Sequence, residues 1–194
     1  MKKTILLMFL AGITTVGYSQ FLKAGSVIGG GAFSFYTQKY KDSNSKGSSF
    51  SLIPWAGYLV ADNLVVGASL EYDNSTSKSG APSNYKSTQS SILFGPLVRY
   101  YLDQGLFAQG QFGFGGLKNT TDSGNGSSTT KVSVSQYRLG LGYAARISDT
   151  VLFEPMVGYY SNTQKDKTND TNPKSTTSGL FIMGGFTIIL KSVQ

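Results

Sequence analysis

The sequence contains neither cysteine nor histidine among its 194 residues. Without these residues there is no disulfide framework, no thiol nucleophile, no zinc site with Cys or His ligands and no catalytic triad that depends on histidine. Most of the common catalytic mechanisms are therefore excluded. We expect a protein that is not an enzyme and that uses no metal ion and no cofactor.

Charged residues are also scarce, at 14% of the chain, against the ~25% of ordinary soluble domains. After the N-terminus, no segment reaches 18 consecutive apolar residues, and none holds the apolar spacing of an amphipathic helix for long. What the sequence does contain is 24 glycines, 12 tyrosines and 12 phenylalanines. This composition indicates a β-rich protein, and the length fits one domain.

The N-terminus reads as a secretory signal peptide. Lys2 and Lys3 precede an apolar run from Ile5 to Val16, and small residues follow at Gly17 and Ser19. The run is shorter than the ~20 residues that a membrane-spanning helix needs. We therefore predict a signal peptide over residues 1–19, cleaved after Ser19, and a mature domain over residues 20–194.

Apolar and polar residues alternate with period two along most of the mature chain, which predicts eight β-strands. The predicted strands cover residues 25–37, 48–60, 64–74, 89–101, 106–118, 131–147, 151–161 and 177–190. Three connections are tight turns with Asp, Asn or Gly: Ala61-Asp62-Asn63, Leu102-Asp103-Gln104-Gly105 and Ser148-Asp149-Thr150. The other four are long polar loops, residues 38–47, 75–88, 119–130 and 162–176. This pattern predicts an antiparallel up-and-down meander with both termini at the end of the tight turns.

One face of the predicted strands is apolar throughout, and the other carries every arginine and glutamate of the chain. A soluble barrel would point the charged face toward water, and its outward positions would be rich in lysine and glutamate. An arginine on a lipid-facing position near mid-bilayer costs about 2–4 kcal/mol, which explains an uncharged outer face. An open sheet edge in hydrocarbon would leave backbone groups unsatisfied. We therefore predict an all-β fold, an eight-stranded antiparallel up-and-down transmembrane β-barrel.

Outward aromatic residues fall in two groups along the strands. Those near the long loops are Phe33, Phe35, Phe50, Tyr72, Phe114, Tyr137 and Tyr159, and those near the tight turns are Tyr58, Tyr100, Phe153 and Phe186. Two such rings are typical of the aromatic belts at the two membrane interfaces. The alternative is that these aromatics serve only as good strand formers.

The inward charges form a candidate lumenal network of Glu71, Arg99, Arg138, Arg146 and Glu154. From hairpin register we predict an ion pair between Arg146 and Glu154, with Arg99 facing Gln109 and Arg138 facing Tyr160. Glu71 is expected to complete the network. The cluster is either a gate in a narrow polar pathway or a plug of satisfied charges, and we favour the plug because side chains fill an eight-stranded bore.

Two segments resemble a known family. Pro54-Trp55-Ala56-Gly57-Tyr58-Leu59-Val60-Ala61-Asp62-Asn63-Leu64-Val65-Val66-Gly67 is similar to the strand-turn-strand signature of small bacterial outer-membrane β-barrel domain proteins, and Gly95-Pro96-Leu97-Val98-Arg99-Tyr100-Tyr101 resembles their next block. The resemblance implies a barrel of the OmpX or OmpA type, inserted by the outer-membrane assembly machinery. Such chains often stop at a terminal aromatic, whereas Lys191-Ser192-Val193-Gln194 follow Leu190 here; Gly185-Phe186-Thr187-Ile188 offers another insertion signal.

The expected function is that of a non-enzymatic integral outer-membrane protein of a Gram-negative cell, structural in the envelope. We expect its long loops to be extracellular and both termini to be periplasmic. We also expect a monomer that is surrounded by outer-membrane lipids. Nucleic acid is not an expected partner, because no stripe of Lys or Arg interleaved with aromatics occurs. Two alternatives stay open: adhesion or recognition of an extracellular partner through the loops, and a porin-like narrow pore for small solutes.

Overall fold

The computed structural model describes residues 22–40, 45–79, 85–123, 126–166 and 174–191. The predicted signal peptide, residues 1–19, lies outside these ranges. Nearly all of the described chain is β-strand, apart from a short 3-10 helix at Asp103–Gly105. The strands are β1 (Val27–Tyr40), β2 (Ser45–Ala61), β3 (Leu64–Lys78), β4 (Lys86–Tyr101), β5 (Leu106–Asp122), β6 (Ser127–Tyr143), β7 (Ala145–Arg146), β8 (Val151–Asp166) and β9 (Ser175–Lys191). Within the described ranges, no helix has the length and apolar character to cross a membrane.

The strands form a closed antiparallel ring. Each long strand pairs with its neighbours in sequence, β6 pairs with β8, and β1 pairs with β9. The two-residue strand β7 continues β6 after a break at Ala144, so that nine strands make a ring of eight. The predicted eight-stranded up-and-down barrel is confirmed.

The predicted tight turns close one end of the barrel. Asn63 takes a left-handed backbone with φ of 64°, which asparagine tolerates better than most residues. Its side-chain oxygen accepts a hydrogen bond of 3.2 Å from the Leu22 amide, and Asp62 accepts one of 2.9 Å from the Ala24 amide. Residues 22–26 therefore lie across the turns as a cap, and the first strand begins two residues later than predicted.

The apolar phase of the strands faces outward, as predicted. Leu141, Ile182 and Leu180 are 64%, 87% and 80% exposed, whereas the inward Ile28 and Leu59 are fully buried. Among the residues described, the outward positions that we assigned to the apolar phase are exposed or half-buried and none is buried. The outside of the barrel is thus an apolar belt, which is the surface that a lipid environment requires.

Both predicted groups of outward aromatics make contacts between neighbouring strands. The ring centroids of Phe50 and Tyr72 are 6.3 Å apart on the side of the long hairpins, as are those of Tyr137 and Tyr159. Near the tight turns, the rings of Phe153 and Phe186 are 5.4 Å apart. The aromatics are therefore paired at both ends of the apolar belt.

The four long loops were predicted too long. Most of their described residues continue the strands, and the hairpins pair as far as Tyr40 with Ser45, Lys78 with Lys86, and Asp122 with Ser127. Hydroxyl side chains pair across these strand ends: Thr163 with Thr176 at 3.1 Å, Thr120 with Thr129 at 3.3 Å and Ser49 with Ser75 at 2.9 Å. Such cross-strand pairs stabilise a sheet that is polar on both faces. Their polarity suggested loops, but it reflects a barrel wall that continues beyond the apolar belt.

Candidate functional site in the barrel lumen

The lumen is closed by apolar side chains at the end of the tight turns. Leu22 of the N-terminal cap packs with the first inward residues of the strands in one buried cluster, which includes Ile28, Leu59, Val65, Ala144 and Leu152. Leu59, Val65 and Leu152 have no exposed surface. These buried side chains form an apolar floor at this end of the bore.

Above this floor lies a buried ion pair between Arg99 of β4 and Glu154 of β8. The two strands are separated in the ring by β5 and β6, so the pair bridges the bore. Both side chains are 4% exposed. Glu154 also accepts hydrogen bonds from the Tyr101 hydroxyl at 2.8 Å and the Thr187 hydroxyl at 2.6 Å. Every charge of this layer is thus paired, as a buried ion requires.

The Arg99 guanidinium has polar and aromatic partners as well. It donates from Nε to Gln109 Oε1 at 2.9 Å and from Nη1 to the Tyr101 hydroxyl at 2.9 Å. Its Cζ atom lies 4.3 Å from the ring centroid of Trp55 and 4.4 Å from that of Phe107. Cation–π contacts of this kind are strongest where water is excluded. Arg99 is therefore the centre of a plug that fills the cross-section of the bore, formed by Arg99, Glu154, Tyr101, Gln109, Trp55 and Phe107.

A second ion pair lies farther from the tight turns, between Arg138 of β6 and Glu71 of β3. In the ring, β4 and β5 separate the strands of Arg138 and Glu71, so this ion pair also crosses the bore. With its side-chain oxygen turned toward Arg138, Gln136 accepts from Nη2 and Nε, each at 2.9 Å. The Arg138 Nη1 atom is buried and has no hydrogen-bond partner in the part of the chain that the structure describes. The second layer is thus less completely satisfied than the first.

Four of the five predicted network residues meet in these layers, but the predicted partner of Glu154 is wrong. Glu154 pairs with Arg99, whereas Arg146 is an exposed residue of β7 opposite Leu152. Arg146 lies near the tight-turn end of the barrel, and its side chain is exposed. The predicted register is confirmed for the pairs of Arg99 with Gln109 and Arg138 with Tyr160.

Sequence reasoning missed three inward residues that take part in these layers. Tyr101 and Phe107 continue the inward phase of β4 and β5 past Arg99 and Gln109, and Asp73 continues that of β3 past Glu71. Each of them lies two residues from an inward residue that the sequence analysis named, so the alternation of the strands also places them inside the barrel. Asp73 accepts a hydrogen bond of 3.2 Å from the Ser91 hydroxyl.

The two layers divide the remaining space of the lumen. Between them is a cavity of about 30 Å³ that Arg99, Arg138 and Glu154 line, the volume of about one water molecule. Above the second layer a cavity of about 310 Å³ has a mixed lining that includes Glu71, Asp73, Asn162, Phe181 and Met183. Among the described residues, no three acidic side chains are placed to hold a metal ion.

Comparison with known proteins shows the family of this fold. The family model for the autotransporter β-domain matches residues 56–181. Among solved structures, the chain is similar to the translocator domain of the autotransporter NalP from Neisseria meningitidis, with 16% identity, a TM-score of 0.53, and coverage of 95% of this chain and 67% of that one. No curated protein was found that matches this sequence.

Two further solved structures are similar to this chain at lower TM-scores. Neisserial surface protein A has 17% identity and a TM-score of 0.43, over 90% of this chain and 100% of that one. OprG from Pseudomonas aeruginosa has 16% identity and a TM-score of 0.38, over 87% and 97%. The apolar outer belt, the closed ring and the family match agree. The chain is a transmembrane β-barrel of the bacterial outer membrane, and it belongs to the autotransporter β-domain family.

Proposed function

We propose that this protein is a non-enzymatic, monomeric outer-membrane barrel that is structural in the envelope and closed to solutes. The observation that carries the proposal is the Arg99–Glu154 plug, which fills the bore above an apolar floor. Eight strands enclose a lumen that side chains can fill, as in the small barrels of the OmpX and OmpA type. No step of catalysis is assigned to any residue.

The packed lumen does not fit the translocator activity named for NalP. An extended polypeptide needs a bore several ångströms wider than a water-sized gap. Here Trp55, Phe107 and Arg99 pack against one another across the lumen. Passage of a chain would require these contacts and both ion pairs to break together. The filled lumen therefore favours a structural role in the envelope over transport of a polypeptide.

The proposed orientation places the polar hairpins outside the cell and the termini in the periplasm. The strands of the hairpins run five to ten residues past the apolar belt, which is about 17–34 Å along the strand at ~3.4 Å per residue. The tight turns at the other end match the short periplasmic turns of outer-membrane barrels. We further propose insertion by the outer-membrane assembly machinery, with outer-membrane lipids around the belt. Added protease tests the orientation, since it should cleave only the hairpins in intact cells.

Conductance measurement distinguishes the closed barrel from a porin-like narrow pore. We expect the purified protein to give a flat current in planar bilayers, because the plug leaves a space for only one water molecule between the two layers. Insertion must be confirmed on the same sample by recovery of heat-modifiable protein from the bilayer lipid. Discrete current steps whose ion selectivity changes in Glu71→Gln would refute the closed barrel and establish the pore.

A second candidate function is recognition of an anionic surface, and one observation favours it. Lys39, Lys46, Lys78 and Lys86 lie directly opposite one another on the adjacent strands β1 to β4. All four are exposed. Each lies an even number of residues from the outward apolar residues of its own strand, which places it on the outer face. Like charges directly opposite each other destabilise a sheet. In the described residues Lys39, Lys46 and Lys78 have no ion pair, so this lysine row would gain from an external polyanion.

Removing the centre of the lysine row tests this function. We expect Lys46→Gln with Lys78→Gln to weaken binding of the detergent-folded protein to immobilised heparin, by about tenfold at low salt, because two of four adjacent charges are lost. Lys118→Gln with Lys131→Gln is the matched control, since it removes the same charge from β5 and β6. Equal loss in both variants, or none in either, would contradict a role for the row.

A further inference from the structure

Pairing of β1 with β9 closes the ring of strands near the tight turns, but these two strands do not pair along their whole length. β1 and β9 pair from Val27 with Lys191 to Ala32 with Gly185, and the described pairing stops there. Farther up, β1 pairs with β2 to its end and β9 pairs with β8 to its end. Continuing the register would place Ser34 opposite Met183, but the two strand edges do not pair. We call this gap the β1/β9 seam, between residues 33–37 of β1 and 180–184 of β9.

Side-chain exposure agrees with an open seam. Phe33, Phe35, Leu180 and Ile182 border it and are 72%, 68%, 80% and 87% exposed. Residues 33–39 of β1 are exposed on both faces, including the inward Ser34 and Tyr36. A strand inside a closed wall exposes one face only. These exposures agree with the missing pairing between β9 and this edge of β1.

The lower part of the seam lies within the apolar belt. The outward apolar residues of β1 end at Phe35 and those of β9 begin at Leu180, with polar Thr37 and Ser178 beyond them. Residues 33–35 and 180–184 thus present unpaired backbone edges at the depth of the lipid. Backbone groups in hydrocarbon require hydrogen-bond partners. The seam would therefore be occupied by groups that bring polar atoms to this depth.

The seam borders the larger lumenal cavity. Phe181 and Met183, which line the cavity of about 310 Å³, are inward residues of β9 at the seam. Asp73 and Asn162 line the same cavity. The Oδ1 atom of Asn162 is buried and has no hydrogen-bond partner among the described residues. Arg138, with its unpartnered Nη1 atom, also lines it. A route from the bilayer thus leads past apolar side chains to hydrogen-bond donors and acceptors.

We propose that the β1/β9 seam is a lateral portal through which a single-chain amphiphile of the bilayer places its polar end in this cavity. The apolar chain would stay between Phe33, Phe35, Leu180 and Ile182, and the polar end would meet Asp73, Arg138 and Asn162. Ligand pockets of this volume, with apolar walls and a few convergent polar groups, are typical of small-molecule sites. This site lies above the plug and is independent of whether the barrel conducts.

Single cysteines in this cysteine-free chain test the portal. The probe is N-dodecylmaleimide dissolved in vesicles that contain the folded protein, since its polar head reacts with thiols and its chain stays in lipid. We expect Met183→Cys to react at least about tenfold faster than Leu152→Cys, whose thiol would lie in the buried apolar floor below the plug without lipid contact. Ile182→Cys on the lipid face is the positive control. If Met183→Cys does not fold, Phe181→Cys replaces it.

A sulfonated maleimide that stays in water separates access to the cavity through the seam from access through its aqueous mouth. Reaction of Met183→Cys with the sulfonated reagent alone would overturn the portal, because the thiol would then be reached only from the water side. Reaction with neither reagent would also overturn it.

The oxidation rates of two cysteine pairs test whether the seam is open. Ser34→Cys with Ser51→Cys, which are paired residues, should form a disulfide rapidly, while Ser34→Cys with Met183→Cys should form one slowly. Equal rates would show a closed wall. A covalent dimer of Ser34→Cys alone would show that a second copy occupies the seam.

Discussion

Glu154→Gln is expected to lower the free energy of unfolding by about 3–5 kcal/mol, the loss typical when one partner of a buried ion pair is removed. The amide keeps the size of the side chain but not its charge. Arg99 would then be a buried cation whose remaining partners are Gln109, Tyr101 and two aromatic rings. Thr187 and Tyr101 would also share an acceptor that is weaker than a carboxylate.

Unfolding in urea can be followed through Trp55, because it is the only tryptophan of the chain and its ring lies over Arg99. The matched control is Glu71→Gln in the second layer. Its loss should be smaller, because Arg138 keeps two hydrogen bonds to Gln136 and is 15% exposed. Arg99→Leu combined with Glu154→Leu should recover stability, since replacing a buried pair by apolar residues is often neutral. Equal effects of the two glutamine variants would contradict a plug centred on Arg99.

Leu141→Arg is expected to destabilise the membrane-inserted barrel by about 2–4 kcal/mol, the cost of an arginine on a lipid-facing strand position near the bilayer midplane. Leu141 lies in the middle of the outward apolar residues of β6 and β7 and is 64% exposed. At an exposed position of a water-soluble protein, the same change would alter stability by only about 0.5 kcal/mol. The variant therefore measures the medium that surrounds the belt.

The control for this variant is Thr129→Arg on the same face of the same strand. Thr129 lies in the polar part of β6, near the naturally charged Lys131, and should tolerate arginine. Stability is measured by the urea midpoint in vesicles, and insertion by heat-modifiable migration on a gel. If Leu141→Arg and Thr129→Arg had equal and small effects, the belt would not face hydrocarbon.

Much of the architecture could be predicted because it depends on local alternation. The period of two sets which side chains share a face, and the absence of charge from one face indicates lipid. Tight turns at Asn63 and Gly105 set the register of their hairpins, and this register placed Arg99 opposite Gln109. Contacts between strands adjacent in sequence were therefore predictable.

The strand ends were less predictable, because composition is ambiguous there. Residues rich in Ser and Thr are equally compatible with loops and with strands that face water on both sides. Pairs such as Thr163 with Thr176 become favourable only when the neighbouring strand is already in place. For this reason the sequence predicts loops where the structure has polar hairpins.

The sequence alone determines that the outer face is apolar, that the inner face is charged, and which residues pair in the tight hairpins. All three features follow from residues close to one another in the chain. Only the tertiary structure decided which charges pair, because Arg99 with Glu154 and Arg138 with Glu71 meet across the bore once the ring is closed. The tertiary structure also decided how far β1 and β9 pair. These two strands lie at opposite ends of the barrel sequence, and no local pattern determines their register.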